Sequence, residues 1–449
     1  MAETRCDILI IGAGQAAEEI VERCGSRGMN VFVAERARAG GSCVNFGCTP
    51  TKTALESARL AALARRAGEF GLRIPTVEVD YAKVIELARG KAEASNAGVT
   101  KRFGDKLIHG HARLAGRSGE GFAVDIAGER WHADKVVIDV GTRSLFPKLD
   151  GLDKIDVITA ENWLFETELP RRIALIGGGV ISIEMCQFYR RMGAEEVTVV
   201  DGGSQILAHE DPDVAAAVQN MLESEGVRFR LNTRFGEVRQ TPEGVVLDCS
   251  GEPVAADRLF VATGRKPNTD DLGLETVGIV PDDKGFIPVD KQLRTSVPGI
   301  FATGDVRGGF MFTHTAWDDG RIVLGALLED NGHSTDRVVP YTVFSDPALG
   351  RVGLGEKEAL EKGLSFEVLR FDMARNAHAD EARETTGSIK LLLEKETDKI
   401  LGAAVFGVGG ADLVHLYSLL MAADLPASVL REAVISHPTY SEAAQNVLL

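Results

Sequence analysis

Residues 40–52 read Gly-Gly-Ser-Cys-Val-Asn-Phe-Gly-Cys-Thr-Pro-Thr-Lys and place Cys43 and Cys48 five positions apart among glycines. Helix-forming residues follow, and Pro50 suits the first turn of a helix, where its missing N–H is not needed. We therefore expect Cys48 at a helix N-terminus and Cys43 just before it. Because that end of a helix carries partial positive charge, it favours a thiolate. The pair is predicted to be a redox disulfide.

The two cysteines could instead be half of a zinc site or simply buried thiols. A zinc site would need a second closely spaced pair of cysteine or histidine ligands. The other cysteines, Cys6, Cys24, Cys186 and Cys249, are scattered singly along the chain. The sequence therefore argues against zinc, and we predict no metal ligands.

Composition restricts the class of protein and its partners. The chain has 449 residues, enough for roughly three domains. The net charge of −16 argues against nucleic acid and anionic membrane surfaces as partners. Residues 1–7 lead straight into an apolar strand, and no apolar run approaches the roughly 18 residues of a membrane span. We expect a cytoplasmic protein without a secretion signal, and in that reducing compartment a cysteine pair is more often catalytic than structural.

A βαβ unit begins near the N-terminus. The apolar run Ile8–Ile11 predicts a buried parallel strand, and the turn after it places Gly12, Gly14 and Ala17 in a G-x-G-x-x-A pattern that opens a helix. The glycines allow a pyrophosphate to approach the helix N-terminus. Glu35 ends the next strand, where its carboxylate would bind an adenosine ribose. This unit predicts a dinucleotide site.

A second unit of the same kind begins at Arg172. The strand Ile173–Ile176 leads into Gly177-Gly178-Gly179, and Asp201 ends the following strand. A carboxylate there accepts a hydrogen bond from a ribose 2′-OH and repels a 2′-phosphate. No arginine follows closely, which favours NADH, although Asp201 could also be a solvated acid at a strand end. Two such units predict two bound nucleotides.

The rest of the chain has less specific patterns. We expect a helix over Tyr81–Phe103 and a small antiparallel sheet over Leu107–Asp139. A later strand ends in Gly304-Asp305, and such an acid can bind a chain of hydroxyl groups. From Val338 onwards the pattern favours an α+β domain without a nucleotide signature.

Taken together, these motifs resemble the class I pyridine nucleotide–disulfide oxidoreductases, the group of dihydrolipoamide dehydrogenase, glutathione reductase and mercuric reductase. The resemblance covers nearly the whole chain. It implies an α/β fold with two Rossmann-like dinucleotide-binding domains, for FAD and NAD(P), and a C-terminal α+β dimerisation domain. The motifs that carry it are Gly12-x-Gly14-x-x-Ala17, Gly41–Lys52, Gly177–Gly179, Ala262–Arg265, Ala302–Asp305 and His437-Pro438-Thr439-Tyr440-Ser441-Glu442.

The resemblance also implies domain boundaries and cofactor residues. The expected domains are an FAD-binding domain at 1–148, an NAD(P)-binding domain at 149–270, a return to the FAD domain at 271–335 and an interface domain at 336–449. The residues expected to hold FAD are Gly12, Gly14, Ala17, Glu35, Gly41, Ser42, Lys52, Gly141, Thr142, Gly304, Asp305, Thr313 and His314. Those expected to hold NAD(P)H, with NADH favoured, are Gly177, Gly179, Glu184, Asp201, Gly264 and Arg265.

The same resemblance assigns catalytic roles. Lys52 would pair with Glu184 near the flavin, and His437 with Glu442 would form a dyad that reaches the cysteines of the other subunit of a homodimer. Hydride would pass from the nicotinamide to FAD and then to the disulfide. Cys48 would face the flavin, while Cys43, expected to be the more exposed, would attack a substrate disulfide. The histidine would move the proton.

Three functions remain open at this point. The leading hypothesis is a reductase of a small-molecule or lipoyl-type disulfide, and Met311–Gly320 resembles the matching segment of dihydrolipoamide dehydrogenase. The second is a reductase of Cu²⁺ or Hg²⁺, which Thr49–Lys52 and the interface domain favour. Mercury reduction is disfavoured because no cysteine follows Cys249. The third, a redox sensor without turnover, would need no acid–base histidine.

Overall fold

The computed structural model describes residues 4–328 and 332–449. The expectation that no secretion signal is present concerns residues 1–7. Of these, Met1–Glu3 lie outside the described residues. Within the described ranges, no helix is both long enough and apolar enough to cross a membrane.

The strands alternate with helices through the first two thirds of the chain. The first strands are β1 (Thr4–Ile11), β2 (Val31–Glu35), β3 (Leu107–His109), β4 (Ala112–Ser118), β5 (Gly121–Ile126), β6 (Glu129–Ile138) and β7 (Thr142–Ser144). Next come β8 (Arg172–Ile176), β9 (Glu196–Val200), β10 (Val227–Arg230), β11 (Phe235–Thr241), β12 (Gly244–Cys249), β13 (Val254–Ala256), β14 (Arg258–Val261), β15 (Arg265–Pro267) and β16 (Ile300–Ala302). The last are β17 (Tyr341–Val343), β18 (Ala348–Gly353), β19 (Phe366–Asp372), β20 (Ser388–Glu394) and β21 (Ile400–Gly407).

The helices fall in the same order. They are α1 (Ala17–Gly25), α2 (Gly41–Asn45), α3 (Cys48–Arg65), α4 (Tyr81–Phe103), α5 (Val180–Met192), α6 (Pro212–Ser224), α7 (Thr313–Leu327), α8 (Glu356–Glu361), α9 (Ala377–Glu381), α10 (Gly410–Ala422), α11 (Ser428–Arg431) and α12 (Ser441–Asn446). The predicted helix at Tyr81–Phe103 is confirmed by α4.

The first sheet has the order β3-β2-β1-β6-β5-β4, and β16 also pairs with β6. β3, β2, β1, β6 and β16 run parallel to one another, so their carboxyl ends meet at one edge. β1 is buried on both faces. Ile8 and Ile10 pack with α1 and α7, while Leu9 and Ile11 pack on the opposite side with the antiparallel strands. Burial on both faces explains why this strand is a continuous apolar run.

The small antiparallel sheet predicted at Leu107–Asp139 is confirmed in part, because β4, β5 and the first half of β6 pair antiparallel. β4 and β5 are antiparallel, but β3 pairs in parallel with β2, and β6 pairs in parallel with β1 along most of its length. On its other edge, β6 pairs with β5 over residues 129–133 and with β16 over residues 136–138. One long strand therefore belongs to both the hairpin and the parallel sheet, which a local alternation pattern does not show.

The second unit is a parallel sheet of order β10-β9-β8-β14, joined by a three-stranded sheet of order β11-β12-β13. Helix α5 is buried along most of its length because it packs both on this sheet and on α3 of the first unit. In that shared core, Ala54 and Ala58 of α3 meet Ile183 and Phe188 of α5. The packing holds the cysteine helix against the second nucleotide unit.

The C-terminal part is a five-stranded antiparallel sheet of order β17-β18-β21-β20-β19, covered by α10. A buried cation joins it to the second unit. Lys390 of β20 lies 2.8 Å from Asp211, 2.7 Å from Asp213 and 2.5 Å from Glu356. Its side chain is 4% exposed and that of Asp211 is 8% exposed, whereas Asp213 and Glu356 keep 46% and 34% of their side chains in contact with water. The predicted fold class, two Rossmann-like units followed by an α+β domain, is confirmed.

Candidate active site

The cysteine stretch forms two helices joined by a tight turn. As predicted, Cys48 is the first residue of a helix, α3; Cys43 lies within the short helix α2 and not in a preceding loop. Asn45 holds α2 in place, since its side-chain amide donates to the carbonyls of Ala39 at 3.0 Å and Gly41 at 2.9 Å. α3 ends at Arg65, and a 3-10 turn follows.

The environment of Cys48 stabilises its thiolate. Its Sγ lies 3.1 Å from the Thr313 hydroxyl. The Cys43 thiol as hydrogen-bond donor, then the Thr313 hydroxyl and the Lys52 ammonium, lower the pKa of Cys48 to about 6, against the opposing effect of burial. The shared hydrogen bond and burial raise the pKa of Cys43. The two cysteines thus differ in protonation, as two separate roles require.

The expectation that Cys43 is the more exposed cysteine of the flavin-bound enzyme stays a prediction; in the single chain the order of exposure is the reverse. Cys48 is exposed, and Cys43 is half-buried. The reason lies in their helices: Cys48 stands at the open first turn of α3, whereas Cys43 lies in the middle of α2, next to the buried Val44.

Lys52 and Glu184 are brought together as expected. The Lys52 ammonium lies 2.7 Å from Glu184 Oε2, and the other carboxylate oxygen accepts from the Phe344 backbone N–H at 3.0 Å. The ammonium also lies 4.4 Å from the centre of the Phe344 ring. Glu184 therefore ties α3, α5 and the C-terminal domain at one point, one turn of helix beyond Cys48.

The first glycine loop fits a dinucleotide. A Cβ on Gly12 would lie 2.4 Å from the Asp139 carbonyl oxygen, and one on Gly14 would lie 2.6 Å from Asp139 Oδ2. That Oδ2 is buried without a hydrogen-bond partner, and burial raises the pKa of Asp139. A raised pKa favours the uncharged form of this carboxyl, which would repel a pyrophosphate less. The helix beyond, α1, begins at Ala17.

Glu35 closes this loop from the next strand. Its Oε2 accepts from the Ala13 N–H at 2.9 Å, and its Oε1 accepts from the Ala37 N–H at 2.8 Å. Each oxygen retains a second lone pair for a ribose hydroxyl. Gly41 of the cysteine helix approaches the same loop, since a Cβ there would lie 3.4 Å from Gly14 Cα.

The other expected FAD residues line the same sheet edge. Gly141 and Thr142 follow β6, and Gly304 and Asp305 follow β16. The Thr142 hydroxyl donates to Asp305 Oδ2 at 2.8 Å, and burial raises the pKa of Asp305. The Gly304 N–H donates to the buried Asp319 at 2.8 Å, which fixes this turn to α7.

Helix α7 begins with Thr313 and His314. Thr313 contacts Cys48, so it bridges the sheet edge and the cysteine helix. His314 Nε2 lies 2.7 Å from the Pro340 carbonyl oxygen, and burial lowers the pKa of its ring. Ser42, in α2, accepts at its carbonyl from the N–H groups of Phe46 and Gly47.

The second glycine loop has the same construction as the first. A Cβ on Gly177 would lie 2.3 Å from the Ala262 carbonyl oxygen, and Gly179 directly precedes α5. Asp201 repeats the role of Glu35: its Oδ2 accepts from the Gly178 N–H and its Oδ1 from the Gly203 N–H, both at 2.6 Å. The chain thus has two loops of matching design.

Arg265 faces the first unit. It follows Gly264, whose φ of +119° favours glycine, and lies on β15 against β7. Its guanidinium donates to the Thr142 carbonyl at 2.9 Å and to Glu161 Oε1 at 2.8 Å. The structure therefore places Arg265 beside Thr142.

The dyad residues lie at the end of the C-terminal domain. His437 Nδ1 and Glu442 Oε1 are 2.9 Å apart, and Glu442 Oε2 accepts from the Thr439 N–H at 2.9 Å. That N–H and the histidine lower the pKa of Glu442. The His437 side chain is 69% exposed. Within the described chain, its side chain is hydrogen-bonded to Glu442 and to neither cysteine.

Sequence reasoning missed three residues of this region. Glu161 binds Arg265 and accepts from the Ser144 backbone N–H at 2.9 Å, and Phe344 covers Lys52. Trp163 donates to the Phe46 carbonyl between the two cysteines. For Trp163, the signal available in the sequence was the rarity of tryptophan, because the chain has only three.

Comparison with known proteins agrees with this geometry. Residues 6–320 match the pyridine nucleotide-disulphide oxidoreductase family, and residues 339–448 match its dimerisation domain. A dihydrolipoyl dehydrogenase of Cupriavidus necator is 31% identical over 461 residues, covering 99% of this chain and 97% of that protein. A mercuric reductase of Lysinibacillus sphaericus is 31% identical over 451 residues, covering 98% of this chain and 81% of that protein.

A solved structure matches over the same length. The Cu(II) complex of the HOCl-induced flavoprotein disulfide reductase RclA from Escherichia coli has a TM-score of 0.89 at 29% identity, covering 98% of this chain and 99% of that chain. The dimerisation domain supports a homodimer. The chain therefore belongs to the pyridine nucleotide-disulphide oxidoreductase family and is an FAD-dependent disulfide oxidoreductase that uses a pyridine nucleotide.

Proposed function

We propose that this enzyme reduces a small-molecule or lipoyl-type disulfide with electrons from NADH, and that Cys43 and Cys48 form its redox centre. The observation that carries the proposal is the exposed dyad, in which His437 lies 2.9 Å from Glu442. Thiol–disulfide exchange needs an acid–base group to move protons at sulfur. Electron transfer to a metal ion and passive sensing do not need one.

The residues that would hold the cofactors lie at the carboxyl edges of the two parallel sheets. FAD would lie against the first edge. The residues proposed to contact it there are Gly12, Gly14, Ala17, Glu35, Gly41, Ser42, Gly141, Thr142, Gly304, Asp305, Thr313 and His314. Bound FAD supplies the link between a hydride donor and sulfur, because flavins accept hydride and deliver electrons. Lys52, fixed by Glu184, would place a positive charge near it.

The cysteines then act in two steps. His437 of the partner chain takes the proton from the Cys43 thiol, and the resulting thiolate attacks one sulfur of the substrate. The substrate S–S bond breaks, and the histidine gives that proton to the departing thiolate. The Cys48 thiolate next displaces the substrate sulfur from Cys43. This restores the Cys43–Cys48 disulfide and releases the second half of the substrate as a thiolate, which takes a proton from solvent. The pair loses two electrons and the substrate gains two. Glu442 orients the imidazole throughout.

The preference for NADH rests on Asp201. Its carboxylate is fixed by two backbone N–H groups at the end of β9, where a ribose would lie. A 2′-phosphate would bring a second negative charge to the same place. Gly179 and Gly264 complete the set proposed for the nucleotide side, whereas Arg265 is held by Thr142 and Glu161 against the first unit.

The test compares disulfide and metal acceptors in one assay. NADH oxidation is measured with lipoamide, glutathione disulfide, Cu²⁺ and Hg²⁺, for the wild type, His437→Ala and the control His109→Ala, an exposed histidine of β3. In His437→Ala, the rate of NADH oxidation with disulfides should fall at least about 100-fold. The rate of this variant with Cu²⁺ or Hg²⁺, and the rates of His109→Ala, should be unchanged. An equal loss with both kinds of acceptor, or no loss with disulfides, would refute the proposed role.

A metal-ion reductase is the second candidate. Its support is the similarity to RclA, solved as a Cu(II) complex, and to a mercuric reductase. Cys43 and Cys48 offer soft sulfur ligands, yet no further cysteine follows Cys249. This candidate predicts turnover with Cu²⁺ that exceeds turnover with every disulfide and is insensitive to His437→Ala.

A further inference from the structure

The peptide group between Phe46 and Gly47, in the turn that joins the two cysteine helices, is held at both ends. Its N–H donates to the Ser42 carbonyl at 2.7 Å, within the cysteine stretch itself. Its carbonyl accepts from the indole Nε1 of Trp163 at 2.9 Å. The first bond is local, whereas the second crosses 117 positions of sequence.

Trp163 is itself immobilised. Its side chain is 1% exposed, and its ring lies 6.0 Å from that of Phe188 of α5 in an edge-to-face arrangement. The preceding residue, Asn162, accepts from the Thr159 N–H at 2.7 Å and donates to the Val157 carbonyl at 2.9 Å. The indole N–H is therefore a fixed donor aimed at the turn.

We infer that Trp163 is a positioning residue of the redox centre, whose indole N–H holds the Phe46–Gly47 peptide so that Cys43 and Cys48 stay in register for disulfide formation. The inference rests on the proposed redox role of this pair. A disulfide requires an S–S separation of about 2.05 Å and a narrow range of geometry. Fixing the turn between the helices raises the effective concentration of one thiol at the other, which favours the oxidised form.

A packing role alone would predict something different. Replacing the indole with a benzyl ring removes the donor and leaves a buried carbonyl without a partner, which destabilises any folded chain. If the bond only supports the core, the variant loses the same stability in its oxidised and reduced forms. A positioning role predicts that the equilibrium between disulfide and dithiol shifts as well.

The test uses the FAD-bound enzyme and the variants Trp163→Phe and Trp131→Phe. Trp131 is the matched control, because it is also a buried tryptophan, and its Nε1 has no hydrogen-bond partner among the described residues. Each protein is equilibrated in dithiothreitol buffers of graded redox poise, quenched by alkylation, and analysed by mass spectrometry for Cys43 and Cys48.

In Trp163→Phe, the equilibrium constant for disulfide formation should fall about three- to tenfold, which for a two-electron couple is roughly 15–30 mV towards easier reduction. Trp131→Phe should leave it unchanged. An unchanged constant in Trp163→Phe, with lower thermal stability, overturns the inference. A wild type without any interconvertible Cys43–Cys48 disulfide overturns the proposed function as well.

A second variant keeps the inference testable if Trp163→Phe does not fold. A Cβ on Gly47 would lie 2.9 Å from the Ser42 carbonyl oxygen, so Gly47→Ala displaces the same peptide from its other end. We expect a shift of the constant in the same direction. An unchanged equilibrium constant in Gly47→Ala would overturn the inference.

Discussion

Thr313→Val isolates one stabilising contact of the Cys48 thiolate. The substitution keeps the shape of the side chain but removes the hydroxyl that lies 3.1 Å from Cys48 Sγ. The thiolate depends first on the Cys43 thiol, then on Thr313 and Lys52, and its pKa lies at about 6. A hydrogen bond to a charged group contributes about 1.5–3 kcal/mol. Because the Cys43 thiol and Lys52 also lower this pKa, we take the lower end, which corresponds to about one pKa unit.

The sign follows from the direction of the shift. A lowered pKa means that the thiolate is present above about pH 6 and is lost as the pH falls through that value. In Thr313→Val the loss should occur at about pH 7, so that at pH 7 the thiolate fraction falls from about 90% to about 50%. The measurement is a pH titration of the long-wavelength absorbance that a thiolate gives beside oxidised flavin, in the two-electron-reduced enzyme.

Two further variants make the result specific. Thr313→Ser restores a hydroxyl and should return the midpoint towards pH 6. Thr53→Val, in the same cysteine helix, removes a hydroxyl that bonds only to the Thr49 carbonyl at 2.9 Å, and should not move the midpoint. If Thr313→Val titrates like the wild type, or if Thr313→Ser titrates like Thr313→Val, the reasoning about this contact is wrong.

Three more predictions address other parts of the enzyme. Asp201→Ser should narrow the preference for NADH over NADPH, measured as the ratio of kcat/KM values, by about tenfold, because a charge of like sign is removed; a clear preference of the wild type for NADPH would contradict this. Glu442→Gln should lower disulfide turnover about ten- to 100-fold, because the His437 imidazole is no longer held in place. Full disulfide turnover in this variant would show that Glu442 is not needed to orient His437. Lys390→Met should lower the free energy of unfolding by about 3 kcal/mol, because it leaves the buried Asp211 without its cation; an unchanged denaturation midpoint would show that the ion pair is not stabilising.

Local patterns in the sequence were sufficient for much of the site. Cys48 at the start of a helix, and the two acids Glu35 and Asp201 at strand ends, depend on residues within one supersecondary unit, and the structure places them as predicted. The exposed acid–base pair of His437 and Glu442 is also local, because its two members are five positions apart. Each of these features is encoded by a short motif.

Contacts between distant segments were not predictable in the same way. The bond from Thr313 to Cys48 spans 265 positions, and that from Trp163 to Phe46 spans 117. The first depends on where the fold places α7 relative to α3, and the second on the core that Trp163 shares with α3 and α5. Neither follows from a spacing in the chain. The same limit explains why the dual pairing of β6 was missed, since its second half joins a strand that comes much later in the sequence.

The central claim is that Cys43 and Cys48 form the disulfide that accepts electrons from NADH. The most direct test is an anaerobic titration of the FAD-bound enzyme with NADH, with alkylation and mass spectrometry at each point. One equivalent of NADH per FAD should convert a Cys43–Cys48 disulfide into two alkylated cysteines, as the thiolate absorbance appears. If the flavin is reduced while the pair stays disulfide-bonded, or if no such disulfide exists beforehand, the account is contradicted.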